Sequence, residues 1–184
     1  MNKSHMGPEA LIFPTPSVLV GAMVDGTANF MTAAWCGIAS SKPPAISVAI
    51  RSERHTLKGI LAHRELSINI PSAAMAAQVD FCGIYSGRKE DKSALFELFF
   101  GDLEYAPLVT PCPVNLECRL RHTLDLGAHI LVVGEVIQSH VDQACLTDGK
   151  PDASKIDPLV FCPGTGNYQR LGEVVGKAFS IGKK

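Results

Sequence analysis

The β character of this chain is clearest near its N-terminus, in Val18-Leu-Val-Gly-Ala-Met-Val24 followed by Asp25-Gly26. Asp-Gly between two apolar runs is one of the strongest tight-turn patterns. A second apolar run, residues 30–38, follows the turn. The two runs therefore predict a β-hairpin in this part of the chain.

Further strands are predicted by short apolar or alternating segments along the chain. They lie at residues 45–50, 65–70, 116–122, 129–136 and 159–162. Residues 65–70 alternate with period two, which places Leu66, Ile68 and Ile70 on one face of a strand.

Helical spacing is limited to short segments. It occurs around Leu57, Ile60 and Leu61, after Ser72 with Met75, Val79 and Cys82, and over residues 91–100 and 171–178. We expect Ser72 to cap its helix. Because the strands do not alternate with long helices, a doubly wound parallel sheet is disfavoured. We expect a mainly β fold with short helices, in which the sheet closes into a barrel and the helices lie outside.

Size and composition restrict the class of protein. The chain has 184 residues, of which 46% are hydrophobic and 19% are charged. These values predict one globular domain over residues 1–184. The net charge of −1 argues against a nucleic-acid binder, since such proteins are usually basic. There is no long apolar run and no signal peptide, so we expect a cytoplasmic protein that does not enter a membrane.

The six cysteines form no C-x-x-C pair and lie at positions 36, 82, 112, 118, 145 and 162. In a chain of this size without a signal peptide, buried free thiols are expected rather than a disulfide framework. The spacing is also too wide for the ligand pairs of a structural zinc site. We therefore predict no bound metal.

Common nucleotide and nucleophile motifs are absent from the sequence. Gly164-Thr-Gly166 is followed by Gln169 where a G-x-G-x-x-G motif needs its third glycine. There is no G-x-x-x-x-G-K-[ST] loop, no H-E-x-x-H and no G-x-S-x-G. A Rossmann dinucleotide site and P-loop chemistry are therefore not supported.

The second strand of the hairpin contains a motif of mixed polar and apolar residues, Asn29-Phe-Met-Thr-Ala-Ala-Trp35. Strand geometry places Asn29, Met31, Ala33 and Trp35 on one face and Thr32 on the other. Such a strand offers an apolar surface with backbone donors beside it, which suits a planar cofactor ring.

A candidate phosphate site follows this motif. Arg51 ends the third strand, and Thr56 then opens a helix within reach of that strand end. A phosphate there would meet free backbone N–H groups, a hydroxyl and a guanidinium. The polar loop at residues 86–92 adds three further cations.

The order of these motifs resembles the flavin reductase-like family of FMN-binding split-barrel proteins, and within it the flavoredoxins. The likeness extends over nearly the whole chain. Its fragments are Phe13-Pro-Thr-Pro16, Asn29–Trp35, Ser41-Lys-Pro-Pro44, Arg51, Thr56, Asn69-Ile-Pro-Ser72, Gly83–Gly87, Asp91-Lys92, Leu116–Cys118, Gly127–His129, Gly134-Glu135 and Gly176–Gly182.

The resemblance implies an FMN-binding split barrel that forms a homodimer, with FMN near the subunit interface. It also implies a set of FMN-binding residues. Met31, Thr32, Ala33 and Trp35, with Asn29 of the same motif, lie along the flavin; Ser40 and Ser41 approach the ribityl-phosphate arm; Arg51, Thr56 and Lys92 hold the phosphate, with Ser86 nearby. No side chain is needed as an acid or base, so no catalytic residue is assigned. His122, His129 and His140 are predicted to be structural.

Three functions compete at this point. The leading hypothesis is an FMN-dependent oxidoreductase that transfers electrons, with the flavin carrying the redox chemistry. The first alternative is an NAD(P)H:flavin oxidoreductase that supplies reduced flavin to a partner. The second is a non-catalytic flavin- or haem-binding barrel. The absence of a nicotinamide motif favours a ferredoxin-type electron donor over NAD(P)H.

Overall fold

The computed structural model describes residues 2–183. Its strands, numbered in chain order, are Thr15–Pro16 (β1), Val18–Val24 (β2), Thr27–Ala33 (β3), Cys36–Ser41 (β4), Pro44–Arg51 (β5), Glu65–Ile70 (β6), Leu98–Phe99 (β7), Leu108–Val109 (β8), Val114–Asp125 (β9), His129–Val141 (β10), Leu146–Thr147 (β11), Lys150–Pro151 (β12), Val160–Cys162 (β13) and Asn167–Gln169 (β14). The α-helices are His55–His63 (α1), Ala76–Ile84 (α2) and Ala153–Ile156 (α3), with 3-10 turns at Ala73–Met75, Ser93–Leu95 and Gln143–Cys145. The prediction of a mainly β fold with short helices is confirmed.

Seven strands form one antiparallel sheet in the order β3-β2-β6-β9-β10-β5-β4. Only Ala34 and Trp35 separate β3 from β4, yet these strands are opposite edges of the sheet. The sheet must therefore curl until its edges approach near Trp35, as in a barrel.

The expected closure of this barrel is wrong, because β3 and β4 do not pair with each other. At their junction the chain is already attached to β5, where the Ala49 N–H donates to the Trp35 carbonyl at 2.9 Å. The barrel is therefore split along the β3 and β4 edges. A small separate sheet, in the order β1-β13-β14, lies outside the large one.

The second apolar run of the predicted hairpin, residues 30–38, is not one strand. Within this run β3 ends at Ala33, a bend follows, and β4 begins at Cys36. This bend carries the chain from one sheet edge to the other. Trp35 therefore lies beyond the strand face on which it was expected, and it remains 51% exposed.

The two faces of the large sheet pack into two apolar clusters. The first joins residues of six strands with Leu57 and Ile60 of α1, so it fills the interior of the curl. The second packs Leu19 and Phe30, on the other face, against Val79 of α2. Met31 and Ala33 belong to the interior cluster, which fixes β3 from within.

Both faces of β6 are buried, although its alternation predicts only one. Ser67 and Asn69 are inaccessible because residues 103–109 cover them. The Ser67 hydroxyl donates to the Pro107 carbonyl, and the Asn69 amide oxygen accepts the Val109 N–H at 2.9 Å. These polar side chains therefore attach a loop segment to the sheet and do not face solvent.

Two of the predicted helices are present as α1 and α2, with Val79 and Cys82 buried. Ser72 precedes the first turn, but its side chain makes no capping hydrogen bond. Leu61 is half exposed and does not join the buried face of α1. Within residues 2–183, no helix is long and apolar enough to cross a membrane.

The helices predicted over residues 91–100 and 171–178 are wrong. In the first segment only Ser93–Leu95 forms a 3-10 turn, because the Lys92 side chain turns inward and β7 pairs with β8. Residues 171–177 have no regular structure, and Val174 and Val175 lie in solvent. So short a helix is marginal without a surface on which to pack.

All six cysteines are free, as predicted. Burial raises the pKa of Cys82 to about 11 and that of Cys118 to about 12. Both thiols therefore stay protonated and unreactive near neutral pH.

Candidate functional site

A cleft runs along β3, a free edge of the large sheet. It has two ends, which share Met31 and Arg54 as lining residues. The apolar end is lined by Met31, Ala33, Trp35, His129, Phe161 and Tyr168. The cationic end is lined by Asn29, Arg54, Thr56, Ser86, Gly87 and Lys92.

The apolar end is a small, open cavity. Its volume is about 190 Å³, which is below the roughly 300–1,000 Å³ of enclosed drug-sized ligand pockets, so a planar ring there would extend into the open mouth of the cleft. The ring centroids of Trp35 and His129 are 5.5 Å apart at this end. The small sheet also contributes Phe161 and Tyr168 to this lining, and their rings contact each other. A flat apolar molecule would therefore find aromatic surface at this end.

The edge position of β3 leaves backbone groups free along the cleft. Because β3 pairs only with β2, alternate residues of β3 direct their N–H and C=O groups away from the sheet. The Phe30 carbonyl is one such group and accepts a hydrogen bond from Lys92. The Thr32 hydroxyl donates to the Val79 carbonyl, which holds α2 against this edge.

Lys92 is the central residue of the cationic end. Its side chain is buried, at 2% exposure, and its ammonium donates to the carbonyls of Phe30 at 3.0 Å and Cys82 at 2.9 Å. No salt bridge among residues 2–183 includes Lys92. An ammonium has three N–H donors, so one remains for a ligand. Burial lowers the pKa of Lys92.

The first turn of α1 lies beside Lys92 at this end. Asn29 Nδ2 donates to the Thr56 hydroxyl oxygen at 2.7 Å, and both side chains are buried. Gly59 allows α1 to pack directly on β2, since a Cβ at that position would lie 2.2 Å from the Met23 carbonyl oxygen. The backbone N–H groups of a helix N-terminus lack helical partners and favour an anion.

Gly87 closes the cationic end against Asn29. A Cβ at Gly87 would lie 1.8 Å from Asn29 Oδ1, so only glycine fits there without displacing the asparagine. The loop that carries Ser86 can therefore approach the first turn of α1 closely.

Other charges at the cationic end are mixed but mainly positive. Arg54 Nη1 donates to the Gly83 carbonyl at 2.8 Å, which fixes the guanidinium between the two ends. Partial burial, followed by the charge of Arg88, lowers the pKa of His55. Glu53 is the acidic residue among those that line this end.

The structure brings most of the predicted site residues to the cleft. Asn29, Met31, Thr56, Ser86 and Lys92 line the cationic end, and Met31, Thr32, Ala33, Trp35 and Arg51 line the apolar end. Their contacts with a cofactor stay a prediction.

Three predicted placements differ from the structure. Arg51 lies at the apolar end and not beside Lys92, and it pairs with Glu53 at 3.6 Å. Ser40 and Ser41 lie outside both ends, because they pair with Ala45 and Pro44 at the opposite end of β5 from Arg51.

Several cleft residues are missed by the sequence. Arg54 occupies the N-cap position of α1, where arginine is not a preferred residue, so only its nearness to Thr56 points to it. His129, which was expected to be structural, lines the apolar end. Ser17, Phe161 and Tyr168 also line it, and no local pattern marks them.

A family model described as "Flavin reductase like domain" matches residues 10–171. This chain therefore belongs to the flavin reductase-like family, and the resemblance seen in the sequence is confirmed.

Solved structures agree with this assignment. Flavoredoxin from Methanosarcina acetivorans is similar at 37% identity and a TM-score of 0.96, covering 100% of this chain and 98% of that one. Flavoredoxin of Desulfovibrio vulgaris (Miyazaki F) is similar at 39% identity and a TM-score of 0.92, covering 100% of both chains. An FMN-binding protein from Thermus thermophilus with bound 1-cyclohex-2-enone has 26% identity and a TM-score of 0.81, covering 96% and 98%.

Proposed function

We propose that this chain is an FMN-binding flavoprotein that transfers electrons. The observation that carries the proposal is the buried Lys92 ammonium, which has a free donor and no acidic partner among residues 2–183. A phosphate carries about −1.5 to −2 charges at pH 7 and would supply the missing anion. The apolar end then accommodates the flavin ring, so the two ends match the two parts of FMN.

The cleft residues take separate roles in this proposal. Lys92, Thr56 and the N-terminal N–H groups of α1 hold the phosphate, with Asn29, Arg54 and Ser86 beside them. Met31, Thr32, Ala33 and Trp35 flank the ring, and β3 offers backbone donors to its polar edge. The similarity to flavoredoxins and to an FMN-binding protein supports FMN as the flavin.

Two of the predicted contacts need a second subunit. Ser40 and Ser41 are separated from Arg51 by the length of β5, which is about 23 Å for seven residue steps. A contact between these serines and FMN in this cleft would therefore come from a partner chain.

Bound flavin supplies the redox chemistry, while the protein supplies binding, orientation and access. One observation favours a second candidate, the NAD(P)H:flavin oxidoreductase. Trp35 is half exposed at the mouth of the apolar end, which leaves an open side where a nicotinamide ring can stack. The absence of a dinucleotide motif favours a protein donor such as a ferredoxin, which needs only close approach to the flavin.

The flavin itself is tested on purified protein by absorbance. Protein incubated with FMN and desalted is expected to show bands near roughly 375 and 450 nm, carried by the oxidised cofactor. Parallel titrations with FAD and riboflavin determine the preferred flavin. Protein that stays colourless and takes up no FMN contradicts the proposal.

The electron donor is tested by stopped-flow absorbance at the flavin band. We expect slow reduction by NADH and NADPH and faster reduction by a reduced ferredoxin. Rapid reduction by either nucleotide, with ferredoxin no faster, favours the flavin reductase. A protein that binds FMN but turns over with no donor and acceptor pair is a non-catalytic flavin-binding barrel.

We also propose a homodimer. The predicted helix over residues 171–178 is absent, but residues 171–181 expose Val174, Val175 and Phe179, which supports burial against another chain. Light scattering is expected to give about twice 19.7 kDa, since twofold dimers are the commonest oligomers. A monomer that still holds FMN contradicts a shared site.

A further inference from the structure

One buried hydroxyl at the apolar end has no hydrogen-bond partner. Ser17 lines this end of the cleft and is 1% exposed. Its hydroxyl oxygen is the buried side-chain polar atom that lacks a partner among residues 2–183. Buried hydroxyls are normally hydrogen-bonded, and a group without a partner points to a ligand or a function.

The other two hydroxyl side chains at this end are already engaged. The Thr32 hydroxyl donates to the Val79 carbonyl. The Tyr168 hydroxyl donates to Asp80 Oδ1 at 3.1 Å, and burial raises the pKa of Tyr168 to about 12. Among the three hydroxyl side chains of the apolar end, that of Ser17 is therefore the one available to bind a ligand.

The position of Ser17 is fixed by two sheets. Its N–H donates to the Leu159 carbonyl at 3.1 Å, beside the β1–β13 pairing. It also immediately precedes β2, where Leu19 is the register partner of Thr32. Strand alternation places Ser17 on the same side as Leu19 and Thr32. The Ser17 backbone is thus held on the same side of the sheet as Thr32, another lining residue of the cleft.

We infer that Ser17 is a ligand-binding residue whose hydroxyl hydrogen-bonds the polar edge of a planar heteroaromatic ring in the apolar end. A hydroxyl both donates and accepts, so it can serve either a carbonyl oxygen or a ring N–H of that edge. The inference rests on the proposed function, in which that ring is a flavin.

The inference has a thermodynamic signature that a structural serine lacks. A hydroxyl left without a partner weakens the ligand-free fold and contributes only when the ligand is present. Ser17→Ala is therefore expected to leave the melting temperature of the ligand-free protein unchanged or raised. The same change is expected to weaken ring binding by about 3- to 10-fold.

Riboflavin is the probe, because it lacks the phosphate and reports on the ring end. Ser67→Ala is the matched control, since Ser67 is equally buried but its hydroxyl is bonded to the Pro107 carbonyl. That control is expected to lower the melting temperature and to leave riboflavin affinity unchanged. Ser17→Cys keeps the side-chain volume with a weaker hydrogen-bonding group, and it is expected to bind riboflavin less tightly as well.

Three results would overturn the inference. If both Ser17 variants bind riboflavin as tightly as the wild type, the inference about Ser17 is overturned and the proposed function is not. If ligand-free Ser17→Ala loses as much stability as Ser67→Ala does, Ser17 has a structural role. A wild-type protein that binds neither riboflavin nor FMN overturns the proposed function and this inference together.

Discussion

The two ends of the cleft are built in different ways. At the cationic end the side chains of Lys92 and Thr56 are buried and bonded to the protein, Lys92 to two carbonyls and Thr56 to Asn29. At the apolar end Trp35 is half exposed, and the walls come from widely separated parts of the chain. The proposed phosphate site is therefore fixed by the protein before a ligand binds, while the proposed ring site is open to solvent at its mouth.

This difference predicts how binding energy is distributed. Preorganised groups lose little freedom when a ligand binds, so they contribute more net affinity than mobile ones. We expect substitutions at the cationic end to affect FMN strongly and riboflavin weakly. Substitutions at the apolar end should affect both ligands alike.

The largest effect is expected for Lys92→Met, which keeps the aliphatic stem and removes the charge. FMN binding should weaken by about 1.5–3 kcal/mol, the range for hydrogen bonds to charged groups, and riboflavin should bind as before. Lys89→Met is the control, since Lys89 is a nearby exposed lysine. Calorimetric titration with both ligands measures the difference. Equal losses for FMN and riboflavin would contradict the placement of the phosphate at this end.

A pH effect of the same origin should be smaller over the accessible range. Burial lowers the pKa of Lys92 from 10.5, so the ammonium loses its proton at a lower pH than an exposed lysine does. The ratio of FMN to riboflavin affinity should therefore fall as the pH rises toward 10.5, over a range in which the phosphate is already dianionic. The ligand-free fold should gain stability over the same range, because a neutral amine is easier to bury.

The pH effect is checked by titrations of both ligands at several pH values and by melting curves of the ligand-free protein. In Lys92→Met the affinity ratio should no longer depend on pH. A ratio that rises with pH in the wild type would show that another group governs phosphate binding.

A moderate effect is expected for Gly87→Ala. The new Cβ would displace Asn29, which in turn holds Thr56, so FMN should bind about 0.5–1.5 kcal/mol less tightly, the range for one hydrogen bond. Gly37→Ala is the control, because a Cβ there meets nothing within 4 Å. Fluorescence titration measures both variants. If Gly87→Ala binds FMN as tightly as the wild type, Asn29 and Thr56 do not contribute to FMN binding.

The smallest effect is expected for Arg51→Ala. The Arg51 side chain is 60% exposed and paired with Glu53, so its charge is screened by solvent and by its partner. We expect a loss of FMN affinity below about 1 kcal/mol, and a larger loss in Arg54→Ala. A loss in Arg51→Ala as large as in Lys92→Met would place the phosphate at the apolar end.

The sequence predicts the cationic end better than the apolar end. The motifs that resemble the family include Asn29, Thr56 and Lys92. The resemblance therefore predicts these residues as members of one site, and all three line the cleft. Ser17, Phe161 and Tyr168 meet only because β1 pairs with β13, and the Thr15–Phe161 hydrogen bond joins positions 146 residues apart. No local period encodes a contact of that range.

The fold, like the site, was predictable from the sequence where it depends on local patterns. Alternation and turn residues locate β2, β5 and β6, since these properties are local. Whether the edges β3 and β4 pair depends on the bend at Trp35, which apolar periodicity does not describe. The same limit explains the predicted helix at residues 91–100, where the inward turn of Lys92 prevails over helical spacing.

The measurement that tests the central claim most directly is the fluorescence of Trp35, the single tryptophan of the chain. Trp35 lines the apolar end and Lys92 lines the cationic end, so the tryptophan reports on the ring while Lys92 reports on the phosphate. Titration with FMN should quench the tryptophan emission to saturation, and riboflavin should quench it to the same extent at a higher concentration. Absence of quenching at saturating FMN, or equal affinity for the two ligands, would contradict a cleft that joins an apolar end to a phosphate site.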